Sequence, residues 1–348
     1  MHPDTAGSQL DSGHEERGQE APPTPTPWGK ALGVAIGLAV LVGALVTAFA
    51  WPASETRPRD VPLAVVAPAD AVAEVEQRLS SAMPGAFDVE PAPDADAARE
   101  LITDREVYGA IVLDPAGPPQ VLTASAASPA VARVLEGMAT QLAQQAGGAP
   151  GPQVQDVVPL PDDDPRGAGL TAAALPMTLG SLAVGLGMSF AVAGARRVIA
   201  GALVAAAATG LIAALVVQVW LGSLDGSYWV NAGVIALAVA AISVALIGLY
   251  AALGRPGIGL GALVMLLLGN PLSGIPTAPE MLPSGWGAFG QLLPPGASGT
   301  LLRSTAYFDG AAAGGPLFVL TAWLAGGLLL AAVGRRRLRF GPRALEHT

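Results

Sequence analysis

Residues 230–254 read VNAGVIALAVAAISVALIGLYAALG, twenty-five positions without a charged side chain. A run of that length decides the fold class, because about 20 apolar residues in a helix cross a hydrocarbon core about 30 Å thick. Comparable runs occupy residues 170–194, 198–222 and 315–334, with another from Ala31 to Trp51 and a shorter one at 256–269. The chain therefore reads as a polytopic α-helical membrane protein.

Composition agrees and narrows the chemistry. A hydrophobic content of 52% and a charged content of 13% fit a helical membrane protein better than a soluble enzyme of 348 residues. The formal charge of −9 is uneven, since past residue 164 the only acids are Asp225, Glu280, Asp309 and Glu346. The basic cluster Arg335, Arg336, Arg337 and Arg339 abuts a span, which argues against a nucleic-acid role. With no cysteine, disulfides, thiolate metal sites and cysteine nucleophiles are excluded. His2, His14 and His347 all lie in the terminal tails, so imidazole is available neither to the membrane part nor to the large loop. The apolar runs contain no Asp, Glu, Lys or Arg, the groups on which proton-coupled pumps depend, although Gln218 and Asn231 leave sodium coupling open. Gly29-Lys30 is followed by Ala31, and position 24 is Thr, so no P-loop is encoded. No catalytic, cofactor-binding or metal-ligating residue is expected, and the chain is not expected to be an enzyme. Asp162, Asp163 and Asp164 read as a solvated run lifting the outer segment off the membrane rather than a cation site, because adjacent carboxylates do not converge on one ion.

Arginine and lysine in short connections set orientation. Lys30, Arg196 with Arg197, Arg255 and the arginines from Arg335 to Arg343 fall on alternate sides of successive spans, whereas the 223–229 connection carries only Asp225. The expected order is a disordered cytoplasmic tail (1–27), a first transmembrane helix (28–51), an extracytoplasmic α/β domain (52–169), a five-helix membrane domain (170–334) and a basic cytoplasmic tail (335–348). That makes six transmembrane helices with both termini cytoplasmic, in the cell membrane. The first reads as a retained signal anchor: Ala48-Phe49-Ala50 resembles a cleavage site, but the leader is long and acidic and the apolar run exceeds a signal core. Gly33 with Gly37, and Gly257 with Gly261, have the spacing of close helix contacts, within the chain or between copies.

The outer segment predicts the order βαβαββαβ. Val61 to Ala67 is a strand ended by Pro68, and residues 71–83 place Val72, Val75, Leu79 and Met83 on one helical face. Leu101 and Ile102 belong to a second amphipathic stretch, and Val107 to Leu113 forms a hairpin through Asp114-Pro115-Ala116-Gly117 with a strand around Val121 and Leu122. Ser128-Pro129 caps a helix bearing Val131, Leu135, Met138 and Leu142, residues 147–152 end it, and Val154 to Leu160 is the last strand. Residues 58–163 are expected to fold alone.

Residues 270–310 are the candidate functional segment. The 256–269 run gives about 21 Å of helix, too short to span by itself. Beyond it, Asn270-Pro271 and Pro276 break a regular helix, and the following stretch is apolar and punctuated by Gly and Pro. Such backbone is tolerated at membrane depth when buried in protein or lining a cavity. The segment reads as re-entrant, under the outer surface, rather than as a loop flat in the interface. Pro271, Trp286, Pro294, Pro295, Gly296 and Arg303 are the candidate outer gate, the prolines being expected to interrupt helix. Arg303 is expected at the lipid headgroup level, as an anchor or as a contact for an anionic substrate.

One N-terminal span, a large outer α/β domain and five clustered spans with a broken segment before the last resemble the ABC-2 superfamily of exporter permeases, particularly its phage infection protein (Pip)-like branch. The residues carrying the resemblance are Glu106 to Leu113, Leu293-Pro294-Pro295-Gly296, Leu302-Arg303 and Tyr307-Phe308-Asp309-Gly310. It implies a permease working as a homodimer or heterodimer of six-span subunits, with ATP hydrolysed by a separate ABC ATPase. In such permeases the connection between the second and third spans contributes to ATPase docking, which points to Arg196 and Arg197. That connection is short here, and Pro22 to Pro27 stands where such permeases carry an amphipathic surface helix. The expected function is outward movement of a lipid-like or amphipathic compound. The alternative is a non-transporting membrane protein whose outer domain binds a protein or cell-envelope component, as a phage receptor or secretion accessory would.

Overall fold

The computed structural model describes residues 26–113, 118–145 and 151–340. The expected Asp114 to Gly117 turn, most of the 1–27 tail, residues 147–150 and the end of the basic tail lie outside the described residues. Residues up to Ala44 form one unit and those from Leu45 onward a second. Most of α1 (Trp28–Ser54), an apolar 27-residue helix, belongs to the first.

In the second unit the chain alternates β1 (Val61–Val66), α2 (Ala69–Ala82), β2 (Phe87–Pro91), α3 (Ala95–Thr103), β3 (Gly109–Val112), β4 (Gln120–Thr123), α4 (Pro129–Gln145) and β5 (Gln153–Asp156). This is the order read from the sequence. The five strands lie in the order β2-β1-β3-β4-β5, all neighbours parallel except the β3–β4 hairpin, in which Ala110 faces Leu122. β1 and β3 are buried almost throughout, as strands covered on both faces must be. Ser128 caps α4 as its sequence predicts, accepting from Val131 N at 3.2 Å.

The sheet does not close its core alone. Val61, Leu63, Val65, Val131 and Leu135 pack with Ala278 and Met281, while Ala64, Ala110, Val112 and Ile102 on the other face pack with Phe308. Apolar side chains of residues 278–308 thus pack on both faces of the sheet, beyond the 58–163 segment expected to fold alone.

Among the described residues five helices are long and apolar enough to cross a membrane: α1, α5 (Ala168–Ala191), α6 (Ala195–Ala214, continuing in π form to Trp220), α7 (Tyr228–Leu253) and, near the C-terminus, the helix Gly314–Val333. The sixth expected span is α8 (Arg255–Ala262), which widens into a π turn over Leu263–Gly269 and stops before Pro271. α7 is the hub, packing against α5, α6, α8 and Gly314–Val333. Gly248 and Gly327 let α7 meet that last helix backbone to backbone, since a Cβ on Gly327 would lie 2.7 Å from Ala245 N. Gly257 and Gly261 play the same part between α8 and α7, so this spacing serves packing within the chain. α9 (Trp286–Gln291) and α10 (Pro294–Tyr307) precede α11 (Gly314–Val333), and α12 (Arg335–Phe340) follows it.

The bundle has two chemically distinct ends. The 221–227 loop meets the sheet end, where Gly222 lies beside Asp163 and Gly169 beside Ser223. At the other end Gly194 N donates to Leu338 O at 2.7 Å, and Arg196, Arg197 and Arg335 line one open cavity of about 540 Å³. Asp164 takes a specific part, accepting from Ala168 N (2.8 Å) and Gly169 N (2.7 Å) where α5 begins. A carboxylate at that position complements the helix dipole.

Candidate functional site

The site is built on the segment between α8 and α11. Pro294 and Pro295 do not interrupt helix, contrary to the reading of the sequence. They occupy the first turn of α10, where a missing N–H costs nothing, and start a buried helix. α9 and α10 thus make a helical hairpin, pressed together by glycine: a Cβ on Gly296 would collide with Gly290 O, and one on Gly290 with Leu272 O.

Polar groups freed by the turns on either side of α9 find partners inside the protein, as apolar surroundings demand. Gln291 Nε2 donates to Ser273 O at 2.8 Å while its Oε1 accepts from Thr300 Oγ1 at 2.7 Å. Trp323 Nε1 donates to Leu292 O at 2.9 Å, and Asn270 Nδ2 to Thr178 Oγ1 at 3.3 Å. At the far end of α10, Tyr307 OH donates to Ser223 O and Thr305 Oγ1 to Asn231 Oδ1. Asn231 is fully buried and also donates to Asp225 O and Gln218 Oε1, so Asn231 and Gln218 are engaged in holding the 221–227 loop to α10.

Between the hairpin and the sheet lies a cavity of about 440 Å³. Residues 57–59 run along 280–281: Arg57 N donates to Met281 O (3.1 Å) and Arg59 N to Glu280 O (3.0 Å). Tyr108 OH, from the start of β3, donates to Glu280 Oε2 at 2.7 Å. Arg105 Nη1 donates to Thr300 O and Ser304 Oγ, and its guanidinium lies 5.2 Å from the centre of the Phe308 ring. Burial pushes the Arg105 pKa down to about 10, helped by repulsion from Arg303 and opposed by Tyr108 and Glu280, so it stays charged at neutral pH. Burial, then the Glu280 carboxylate, pushes the Tyr108 phenol up, so it remains a hydrogen-bond donor. Among the described residues four besides glycine have positive φ, and three of them, Asp60, Arg105 and Ala312, line this cavity. Backbone in that region costs about 1 kcal/mol per residue and gathers at sites the fold over-determines.

Arg303 is 6% exposed, drawn inward by donation from Nη2 to Ile275 O at 3.1 Å. Pro294, Pro295 and Gly296 are buried beneath the cavity in α10, and Pro271 is half-buried at the end of α8. Trp286 is 40% exposed and stacks edge-on with Trp51 and Phe289. Arg196 and Arg197 are exposed at the opposite end, so the structure does not bring them to this site. Sequence reasoning passed over Arg59, Arg105 and the Tyr108–Glu280 pair. The available signal was Glu280, a lone acid within an apolar segment. Among the described residues no cluster of His, Cys, Asp or Glu suits a metal ion. The chain matches no protein-family model, no curated protein and no solved structure.

Proposed function

We propose that this chain is the membrane subunit of an ABC-2-like exporter, working as a dimer and moving a lipid-like or amphipathic compound outward while a separate chain hydrolyses ATP. The sheet lies on the extracytoplasmic side and the arginine-rich end faces the cytoplasm, by the charge of the connections. α8 with the α9–α10 hairpin makes a sixth, broken crossing element, the hairpin being the outer gate. The observation that carries this reading is the helical hairpin wedged between the bundle and the sheet, with a polar cavity above it. Beneath it, between α5, α7 and α10, lies a cavity of only about 20 Å³. Room for about one water is what a closed gate would leave.

The test is purification of the full chain from its native membranes, with nucleotide hydrolysis and ATP-dependent efflux from inverted vesicles as readouts. An ATPase should copurify, and Arg196→Glu with Arg197→Glu should reduce its recovery at least tenfold. Absence of both ATPase and nucleotide-dependent efflux rejects the exporter.

A second reading rests on β5, an edge strand exposed along all four residues with Val154 46% exposed. Edges of this kind accept a partner strand. The same purification would then yield an envelope protein without nucleotide hydrolysis.

A further inference from the structure

The cavity above the hairpin is lined by three arginines and three acids, but two of the arginines are not paired with any of those acids. Arg303 and Arg105 are each withdrawn from solvent, yet among the described residues neither has a carboxylate within 4.0 Å; the ion pairs there join Arg59 to Glu55, Arg78 to Glu74 and Arg99 to Asp96. Arg105 uses Nη1 alone, and Arg303 uses Nη2 alone. Among the described residues the one fully enclosed side-chain polar atom without a partner is Thr123 Oγ1, so the spare donors of both guanidinium groups are not sealed off but open to the cavity they line. Two such cations side by side are unfavourable until an anion joins them.

Among the described residues no acid of the lining pairs directly with either guanidinium, and Glu280 only partly offsets Arg105. Asp60 and Glu106 are exposed, and Glu280 accepts from Tyr108. The wall toward α9 is apolar, with Leu282, Pro283 and Ala288, and α9 itself exposes Trp286 and Phe289. Charge at the floor and apolar surface along one wall suit a ligand that carries both.

We propose that this cavity binds the anionic headgroup, a phosphate or a carboxylate, of an amphipathic compound, with Arg105 and Arg303 as its donors and the apolar portion lying along α9. A guanidinium suits that task because its planar fork matches two oxygens at once. The inference deepens the exporter reading by naming a substrate class, but binding is measurable without transport.

The experiment measures binding of dodecyl phosphate to the purified full chain in an uncharged detergent, with dodecyl phosphocholine as the zwitterionic control and inorganic phosphate as competitor. Dodecyl phosphate should bind at least tenfold more tightly than the control. Arg303→Gln should weaken it at least tenfold. Because that variant removes a buried hydrogen bond, two others keep the test open if it fails to fold. Ala288→Leu narrows an exposed part of the lining and should also weaken binding, whereas Glu280→Gln keeps an acceptor for Tyr108, removes a competing charge and should tighten it severalfold. Competition by inorganic phosphate would identify a site for free anions, and its failure a site for lipid-borne headgroups; both sustain the proposal. Equal binding of the two amphipaths, or unchanged binding in both Ala288→Leu and Glu280→Gln, overturns it. Selective binding without a copurifying ATPase would remove the exporter and leave the site.

Discussion

Tyr108 and Glu280 stand 172 positions apart and meet at 2.7 Å. A hydrogen bond to a charged group is worth about 1.5–3 kcal/mol, and losing the donor leaves the half-buried carboxylate poorly met. Tyr108→Phe should therefore cost about 1–3 kcal/mol, read as a lower unfolding midpoint of the detergent-solubilised chain. The pH dependence has a definite sign. The folded-state pKa of Tyr108 is raised above its ordinary value of 10.0, so its contribution is complete below pH 10 and declines above it as the unfolded phenol ionises. The wild-type chain should lose stability above that pH faster than Tyr108→Phe, and parallel alkaline profiles would contradict this. At this scale the sequence is partly legible. Arg303 stands out because charges are scarce around it, whereas Arg105 is one arginine among several between β1 and α5 and acquires meaning only when α3 and α10 are brought together.

Among the elements, the strand and helix order of the sheet follows from alternating apolar periodicity, and the α4 cap from Ser128. The α9–α10 hairpin was harder to read because proline has two local meanings: it breaks a helix from within and starts one at its first turn. Only tertiary burial of α10 selects the second. Replacing Pro294 and Pro295 by alanine should leave α10 helical and membrane insertion intact. It should still lower efflux, since Pro295 packs on Gly269, where a Cβ would lie 2.8 Å from its Cγ. Full efflux by the double variant would show that the hairpin does not gate. Cysteines across the hairpin should react unevenly with impermeant reagents, freely at exposed Leu292 and not at Ala297, which is 0% exposed. The α7–α11 crossing allows a stability test: Gly248→Leu presses on Gly327 O and should cost about 1–3 kcal/mol, seen as a lower thermal midpoint.

At the scale of the second unit, the two ends of the bundle differ in their short connections: basic residues at one end and the single acid Asp225 at the other. Arginines gather at one end of the bundle, and the sheet, Asp163 and the 221–227 loop at the other. Burial of Ala278, Met281 and Phe308 against the sheet joins the candidate gate to the sheet, so that the two share their apolar core. The long apolar runs made the membrane class legible, because length and absence of charge suffice for it. The joint between sheet and hairpin was not, since it depends on contacts between segments about two hundred residues apart, such as Arg105 with Thr300. The proposed sidedness puts the sheet outside the cell and the arginine-rich end within. Because the chain has no cysteine, sidedness can be read on a clean background. Single cysteines at exposed Ser80, Asp225 and Arg336 should be probed in intact cells with an impermeant maleimide. Labelling is expected at positions 80 and 225, and at 336 only after permeabilisation. Labelling at 336 in intact cells, with 80 and 225 protected, would contradict it.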